Sequence, residues 1–265
     1  MKLVACVYNS YIFTSADAGA SWTQQGSLNN WRAVASDATG TKIVAVAYGV
    51  GVFTSSDSGV NWILTSASAL KYTTVASSRD GRKLYAGEPT QFQGKIVASS
   101  DAGMTWNQLA QLGIWQNLKC SSDGSKCISG GVGATLTSNS GASWAYSSSL
   151  GSAGGSGFND GVASSADGSI LVVTKGQGQI YKSTNAGTTW AVIPSSPTKQ
   201  FWNAMAMSDD GSVILAGHSA GLIVSKDSGA SWTDLLTTGS IRAVSVSPDG
   251  SRIAAGVYGG LTYTW

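Results

Sequence analysis

The chain has 265 residues, a net charge of +2 and 11% charged residues. That small charge gives no broad field for nucleic acid or an anionic membrane surface, and no apolar run is long enough to span a bilayer as a helix. With 42% hydrophobic residues, ten Trp and 34 Gly, the composition is that of a globular, turn-rich β protein and not of a disordered chain.

The chain opens on MKLVACVY (residues 1–8), which reads as a strand with no visible secretory leader. The octet SADAGASW follows at 15–22. Near copies recur as SSDSGVNW (55–62), SSDAGMTW (99–106), TSNSGASW (137–144), STNAGTTW (183–190) and SKDSGASW (225–232). Their glycines, Gly19, Gly59, Gly103, Gly141, Gly187 and Gly229, are spaced by 40, 44, 38, 46 and 42 residues. Such a period, with β alternation inside each unit, indicates a toroidal or stacked array. No stretch carries the 3.6-residue pattern of helical repeats.

One unit reads in full. WRAVASD (31–37) is a first strand, ATGT a turn, KIVAVAYG (42–49) a second strand, GVFTSS (51–56) a third and NWILTS (61–66) a fourth. Four short strands joined by hairpin turns make one propeller blade. The first turn returns as RDG (79–81), SDG (122–124), ADG (166–168), DDG (209–211) and PDG (248–250). Asp-Gly favours a hairpin because Gly takes positive φ without steric cost. In the octet, Ser or Thr and the acid or amide two residues on cap backbone amides, and Gly supplies the left-handed conformation. Asp17, Asp57, Asp101, Asn139, Asn185 and Asp227 are thus expected to be caps. Trp22, Trp62, Trp106, Trp144, Trp190 and Trp232 are expected to start fourth strands and bury their rings.

The pattern S-x-D-x-G-x-x-W, six times in register, resembles the Asp-box, or bacterial neuraminidase repeat, over essentially the whole chain. The resemblance implies an all-β, sialidase-like β-propeller of four-stranded antiparallel blades, with each box between third and fourth strands. The blades fall at 1–27 (partial), about 31–66, 71–110, 115–148, 159–195 and 202–237, and 241–265 (partial), in a single domain. Seven blades use every predicted strand; six result if the trailing piece overlaps the leading one. Asp-box proteins are often secreted, which suggests an extracellular setting and leaves the compartment open.

Three cysteines, Cys6, Cys120 and Cys127, are not a disulfide framework. Cys120 and Cys127 flank a predicted hairpin turn, where either a disulfide or two buried thiols fits. One His, His218, is too few for a zinc site, and no metal or cofactor is expected.

Subtracting the turn residues leaves the chemistry. Of thirteen Asp, four serve octets and six serve first turns (Asp37, Asp80, Asp123, Asp167, Asp210, Asp249). Asp160, Asp209 and Asp234 remain, with the sole Glu, Glu88. Aligned units place Val7, Ala47, Glu88, Gly131, Lys175, His218 and Val257 at one position, the end of the second strand, with Tyr8, Tyr48 and Tyr258 beside them. The first strand begins at Trp31, Tyr72, Trp115, Asn159, Trp202 and Ile241. Arg32, Thr73, Gln116, Asp160, Asn203 and Arg242 come next. These positions lie on the face opposite the octets, where loops on a rigid scaffold carry function. Candidate ligand-binding residues are therefore Arg32, Glu88, Gln116, Asp160, Lys175, Asn203, His218, Arg242, Trp31, Tyr72, Trp115, Trp202, Tyr48 and Tyr258. For the large rings, packing between blades is the competing reading.

Aromatic rings beside planar polar groups suit a sugar, or a peptide nearly as well. The resemblance favours a non-catalytic, lectin-like glycan binder, with a protein-interaction or assembly scaffold as the alternative. Sialidases of the family use an arginine triad, a Tyr–Glu nucleophile pair and an Asp. Here only Arg32 and Arg242 of five Arg are placed on that face. The right-face carboxylates, Glu88 and Asp160, fall in blades that are not neighbours, so no catalytic residue is assigned and a glycoside hydrolase is the weaker reading. The expected partner is a glycan or protein ligand, with neither nucleic acid nor membrane insertion.

Overall fold

Asp-Gly turns and octets cut the chain into strands of two to seven residues, paired antiparallel wherever the register is defined. The structure is a computed structural model that describes residues 2–90, 93–109, 113–131, 134–147, 150, 161–175, 178–197, 201–260 and 262–265. Sheet I holds β1 (Leu3–Cys6), β2 (Ser10–Ser15) and β3 (Thr23–Asn29). Sheet II holds β4 (Trp31–Ser36), β5 (Ile43–Ala47), β6 (Gly51–Ser55) and β7 (Ile63–Leu64). Sheet III holds β8 (Thr74–Ser77), β9 (Leu84–Gly87), β10 (Ile96–Ser99) and β11 (Asn107–Gln108). Sheet IV holds β12 (Gln116–Cys120), β13 (Cys127–Gly130), β14 (Thr135–Thr137) and β15 (Ala145–Tyr146). Sheet V holds β16 (Val162–Ser164), β17 (Leu171–Thr174), β18 (Ile180–Ser183) and β19 (Ala191–Val192). Sheet VI holds β20 (Trp202–Met207), β21 (Ile214–His218), β22 (Gly221–Ser225) and β23 (Thr233–Leu236). Sheet VII holds β24 (Ile241–Val246), β25 (Ile253–Val257) and β26 (Thr262–Thr264). The fold is an all-β, seven-bladed propeller of mostly four-stranded sheets. β24–β26 form a sheet of their own, so seven blades hold and six do not.

The chain divides into two compact units: 1–125 with 139–143, and 126–138 with 144–265. In the first, Ile12, Trp31, Ala45 and Ala47 pack with Val4, Cys6 and Trp62 between sheets I and II. Val44, Val46, Tyr72 and Leu84 fill the space between sheets II and III. In the second unit, successive clusters centre on Ile128 and Val173, on Val172 and Trp202, and on Leu215 and Ile241. A second strand therefore meets apolar side chains on both faces, and β5, β9, β13, β17 and β21 are buried at every residue. Cys120 and Cys127, on either side of the turn between β12 and β13, are disulfide-bonded, and Cys6 is free.

Each octet is a closed hydrogen-bonded corner. The Ser15 hydroxyl donates to Asp17 Oδ1 at 2.8 Å and accepts the Gly19 N–H at 2.8 Å. Asp17 Oδ1 then accepts the Ser21 N–H at 2.9 Å. The last bond recurs at Asn61, Thr105, Ser143, Thr189 and Ser231, at 2.8–2.9 Å. Asn replaces Asp by reversing one bond. Thr105 donates its hydroxyl to Asp101, whereas Asn185 Nδ2 donates to the Thr189 hydroxyl at 2.8 Å. Glycine is not alone in the left-handed region. The preceding residue is there too, at Ala18, Ser58, Ala102, Ser140, Ala186 and Ser228, with φ from 54° to 64°.

That residue's amide ties the octet to the Asp-Gly turn of its own unit. Ser58, Ala102, Ser140, Ala186 and Ser228 donate to the carbonyls of Thr41, Arg82, Ser125, Ser169 and Ser212 at 2.8–2.9 Å. Both turn classes thus lie at one end of the strands.

Hydrogen bonds from Ser and Thr hold the corner carboxylates below the usual aspartate range: Asp17, Asp101, Asp167, Asp210, Asp227 and Asp249 are each lowered to about 2. A carboxyl whose folded pKa is depressed stabilises the fold above its unfolded pKa and loses that contribution as pH falls through the folded value. Thermal unfolding between pH 5 and about pH 2 will show a steep drop in Tm below the unfolded aspartate value, and Asp227→Asn will make it shallower. A non-glycine residue at positive φ costs about 1–2 kcal/mol, and glycine's extra chain entropy offsets about half of that. Ala102→Gly will therefore raise stability by about 0.5–1 kcal/mol, read by urea denaturation.

Candidate functional site

The face opposite the octets takes its shape from a β-bulge. Trp31 pairs with Ala47 and Ala33 with Val46, so Arg32 is the extra residue of its strand. The same irregularity sits at Trp202/Ala204 and at Ile241/Ala243, with Asn203 and Arg242 as the extra residues. A bulge leaves one residue out of the ladder and re-aims its side chain. The large apolar residue before it, Trp31, Trp202 or Ile241, is buried, while the polar residue leaves the ladder.

Four of the six aromatic candidates are wall residues. Trp31, Trp115, Trp202 and Tyr72 are 0–2% exposed. Their indole N–H groups are satisfied internally: Trp31 donates to Ser27 O at 3.1 Å, Trp115 to Gly94 O at 2.8 Å and Trp202 to Gly178 O at 2.8 Å. The Tyr72 hydroxyl is buried with no partner among the described residues. Burial first, and the Glu88 charge second, push its pKa above the usual tyrosine range.

In the first unit, Arg32 is exposed and its guanidinium lies over two rings, 4.4 Å from the Tyr8 centroid and 4.9 Å from that of Tyr48. Tyr8 is half-exposed, and Arg32 has no ion pair among the described residues. Cation–π attraction to two rings restrains the guanidinium. Glu88 is elsewhere in this unit: Oε1 accepts the Lys71 N–H at 3.4 Å, and its main chain is tied to Lys95 and Trp115. Gln116 is half-buried beside Trp115.

In the second unit, Arg242 lies 5.4 Å from the ring of Tyr258, which is exposed. Asn203 Nδ2 donates to Ile241 O at 2.9 Å, so this bulge residue links β20 to β24. Lys175 Nζ donates to Leu150 O at 2.6 Å and lies 5.4 Å from the ring of Tyr181. His218 is buried, packs edge-on against Trp202 at 5.7 Å, and accepts the Ala220 N–H on Nδ1 at 3.3 Å. Asp160 lies outside the described residues. Among the described residues no group of three His, Cys, Asp or Glu is placed to hold a metal, and no helix is long and apolar enough to cross a membrane.

Sequence alignment of the units places Arg32, Asn203 and Arg242 at one position but does not reveal the bulge, which is read only from the register with the second strand.

No family model matches the chain, and no curated protein does. Solved structures share the fold. A chain of the mitotic checkpoint complex is 14% identical, with TM-score 0.77, over 100% of this chain and 83% of that one. YCF48 bound to D1 peptide is 14% identical, TM-score 0.71, over 97% and 87%, and YCF48 from Cyanidioschyzon merolae is 14% identical, TM-score 0.73, over 96% and 88%. The GH74 xyloglucanase from Xanthomonas campestris is 15% identical, TM-score 0.58, over 100% of this chain and 53% of that one. At these identities the likeness is one of fold alone.

Burial lowers the pKa of His218, and the charge of Asp234 opposes the shift only in part. The fold favours neutral imidazole, so His218 contributes fully above its unfolded pKa, near 6.5, and progressively less as pH falls below it. Urea denaturation between about pH 7 and pH 5 will show a slope that His218→Gln flattens.

Proposed function

We propose that this chain is a non-catalytic binding propeller of the Asp-box type whose ligand is a protein segment bearing a carboxylate. The observation that carries the reading is Arg32, placed on a bulge, in cation–π contact with Tyr8 and Tyr48, and without an ion pair among the described residues. A guanidinium so oriented suits a bidentate carboxylate. Neutral sugars are less well served, because Trp31, Tyr72, Trp115 and Trp202 are buried and the exposed rings, Tyr8 and Tyr258, each lie against an arginine. A solved propeller of similar fold, YCF48, is bound to D1 peptide, which supports a peptide as the ligand class. An acidic glycan is the second reading, since its carboxylate would meet the same Arg32 edge. Hydrolysis has the least support: in the first unit Glu88 is the one carboxylate outside the corners, and a two-carboxylate mechanism needs a partner.

The test is selection on random octapeptides with a free C-terminus, beside the same library C-terminally amidated and a sialylated glycan array. Enriched peptides that keep their carboxylate and bind at least about tenfold more weakly to Arg32→Gln support the proposal, as expected for one charge-assisted pair. Enrichment of glycans alone installs the second reading, and enrichment of neither ends both.

A further inference from the structure

We propose that Arg242, Tyr258 and the hairpin tip Ser219–Ala220 form a second binding site, for a peptide C-terminus that ends in an aromatic residue. Arg32 belongs to the first unit and every residue of this site to the second. The repeat supplies the comparison. Trp31 stands opposite Ala47, Trp202 opposite His218 and Ile241 opposite Val257. The residues after those partners are Tyr48, Ser219 and Tyr258. They donate their N–H groups to equivalent carbonyls, Asn30 O at 2.9 Å, Phe201 O at 3.0 Å and Ser240 O at 2.8 Å. Tyr8 holds the same place in sheet I, since residues 1–15 align without gaps on 41–55.

Arg32 and Arg242 are each exposed and each the extra residue of a bulge. Arg32 meets two rings, Tyr48 of its own sheet and Tyr8 of the preceding one. Arg242 meets Tyr258 of its own sheet at 5.4 Å, but the preceding sheet presents Ser219 where sheet I presents Tyr8. The backbone that carries Ser219 is close by: a Cβ on Gly217 would stand 2.5 Å from Cγ2 of Ile241, the residue before Arg242. The tip is also shorter. Ala47 opposite Gly51 leaves Tyr48, Gly49 and Val50 in the turn, whereas His218 opposite Gly221 leaves Ser219 and Ala220, both exposed. Among the described residues the Arg242 side chain has neither an ion pair nor a hydrogen bond.

A guanidinium without an anionic partner takes a carboxylate through charge-assisted hydrogen bonds. Ser219 and Ala220 are too small to supply the second ring that Tyr8 gives Arg32, so the ligand supplies it. A C-terminal Phe, Tyr or Trp carries ring and carboxylate on one residue, within reach of one guanidinium. Phe201, 56% exposed and bonded to the tip through its carbonyl, adds apolar surface for the residues that precede it.

The test is an NMR titration of the isotope-labelled 265-residue chain with acetyl-Gly-Gly-Gly-Phe, followed at the Ser219, Ala220 and Arg242 amides. Saturable shifts at all three are expected. The C-terminally amidated peptide is expected to bind there at least about tenfold more weakly, and a cyclohexylalanine peptide, equally apolar but without the π face, about threefold more weakly. Arg242→Gln is expected to weaken binding at least about tenfold, and Ser219→Tyr to abolish the preference for Phe over cyclohexylalanine. No saturable shift at these amides, equal binding of the amidated or the cyclohexylalanine peptide, indifference to Arg242→Gln, or a preference that survives Ser219→Tyr overturns the proposal. The Arg32 reading is scored separately, at the Tyr8 and Tyr48 amides, so the failure of either leaves the other standing.

Discussion

Everything else in the molecule leans on the corner made by each octet with the Asp-Gly turn beside it. One amide, that of the residue at positive φ, crosses to the turn and fastens two hairpins of a unit together. It can do so only because the octet side chains satisfy the remaining donors: the Ser hydroxyl takes the Gly amide, and Asp or Asn takes the amide two residues further on. Strands only two residues long at the outer edge, such as β7 and β11, add little ladder of their own. Their position is set by the corner and by the Trp that follows. Trp62 and Trp106 return their indole N–H to the octet Gly carbonyl at 2.8 and 3.0 Å.

The corner also partitions the chemistry. Ten of the fourteen side-chain carboxylates serve as acceptors in turns, and hydrogen bonds hold Asp17, Asp57, Asp80, Asp101, Asp123, Asp167, Asp210, Asp227 and Asp249 below the usual aspartate range. A group stabilised so far toward its charged form is a poor general acid near neutral pH. What remains for recognition lies at the opposite strand ends and is mostly cationic and aromatic. The bulge sorts that remainder by burying a large apolar side chain and taking the polar one after it out of the ladder. Arg32 and Arg242 emerge beside tyrosines in this way, while Asn203 spends its amide on a neighbouring strand.

Much of the fold was legible because the turn chemistry is written residue by residue. The octet period, the Asp-Gly corners and the strand alternation point to four-stranded units, and the sheets follow them. The positive φ before the octet glycine was not legible. Ala, Ser and Ala occupy it at 18, 58 and 102, and none of them announces a left-handed conformation. The state of Cys120 and Cys127 was not legible either, since their closeness depends on how far each strand runs past the turn. Among the site residues, sequence placed Arg32, Asn203 and Arg242 correctly as equivalents. It could not tell a ring available to ligand from a ring in a wall. Trp31 and Tyr258 sit at neighbouring positions in the same pattern, yet one is 1% exposed and the other 75%. That difference is decided by what the adjacent sheet presents, which no single unit encodes.

The start of the second strand shows how the repeat tolerates variation that looks chemically abrupt. Lys2, Lys42, Lys83 and Lys126 give way to Ile170 and Val213 in later units, although the slot is the same. The slot is a glycine surface. A Cβ on Gly81 would stand 2.8 Å from Lys42 Cδ, and one on Gly211 would stand 2.8 Å from Ile170 Cδ1. Only the aliphatic stem is read there, and a lysine stem fills the space as well as isoleucine does. The ammonium then travels on to a neighbouring unit's corner, where Lys42 Nζ meets Asp80 O and Lys126 Nζ meets Asp167 O, both at 2.8 Å. Glycine at the turn therefore has two causes, positive φ and the stem lying across it, and each disfavours a side chain there.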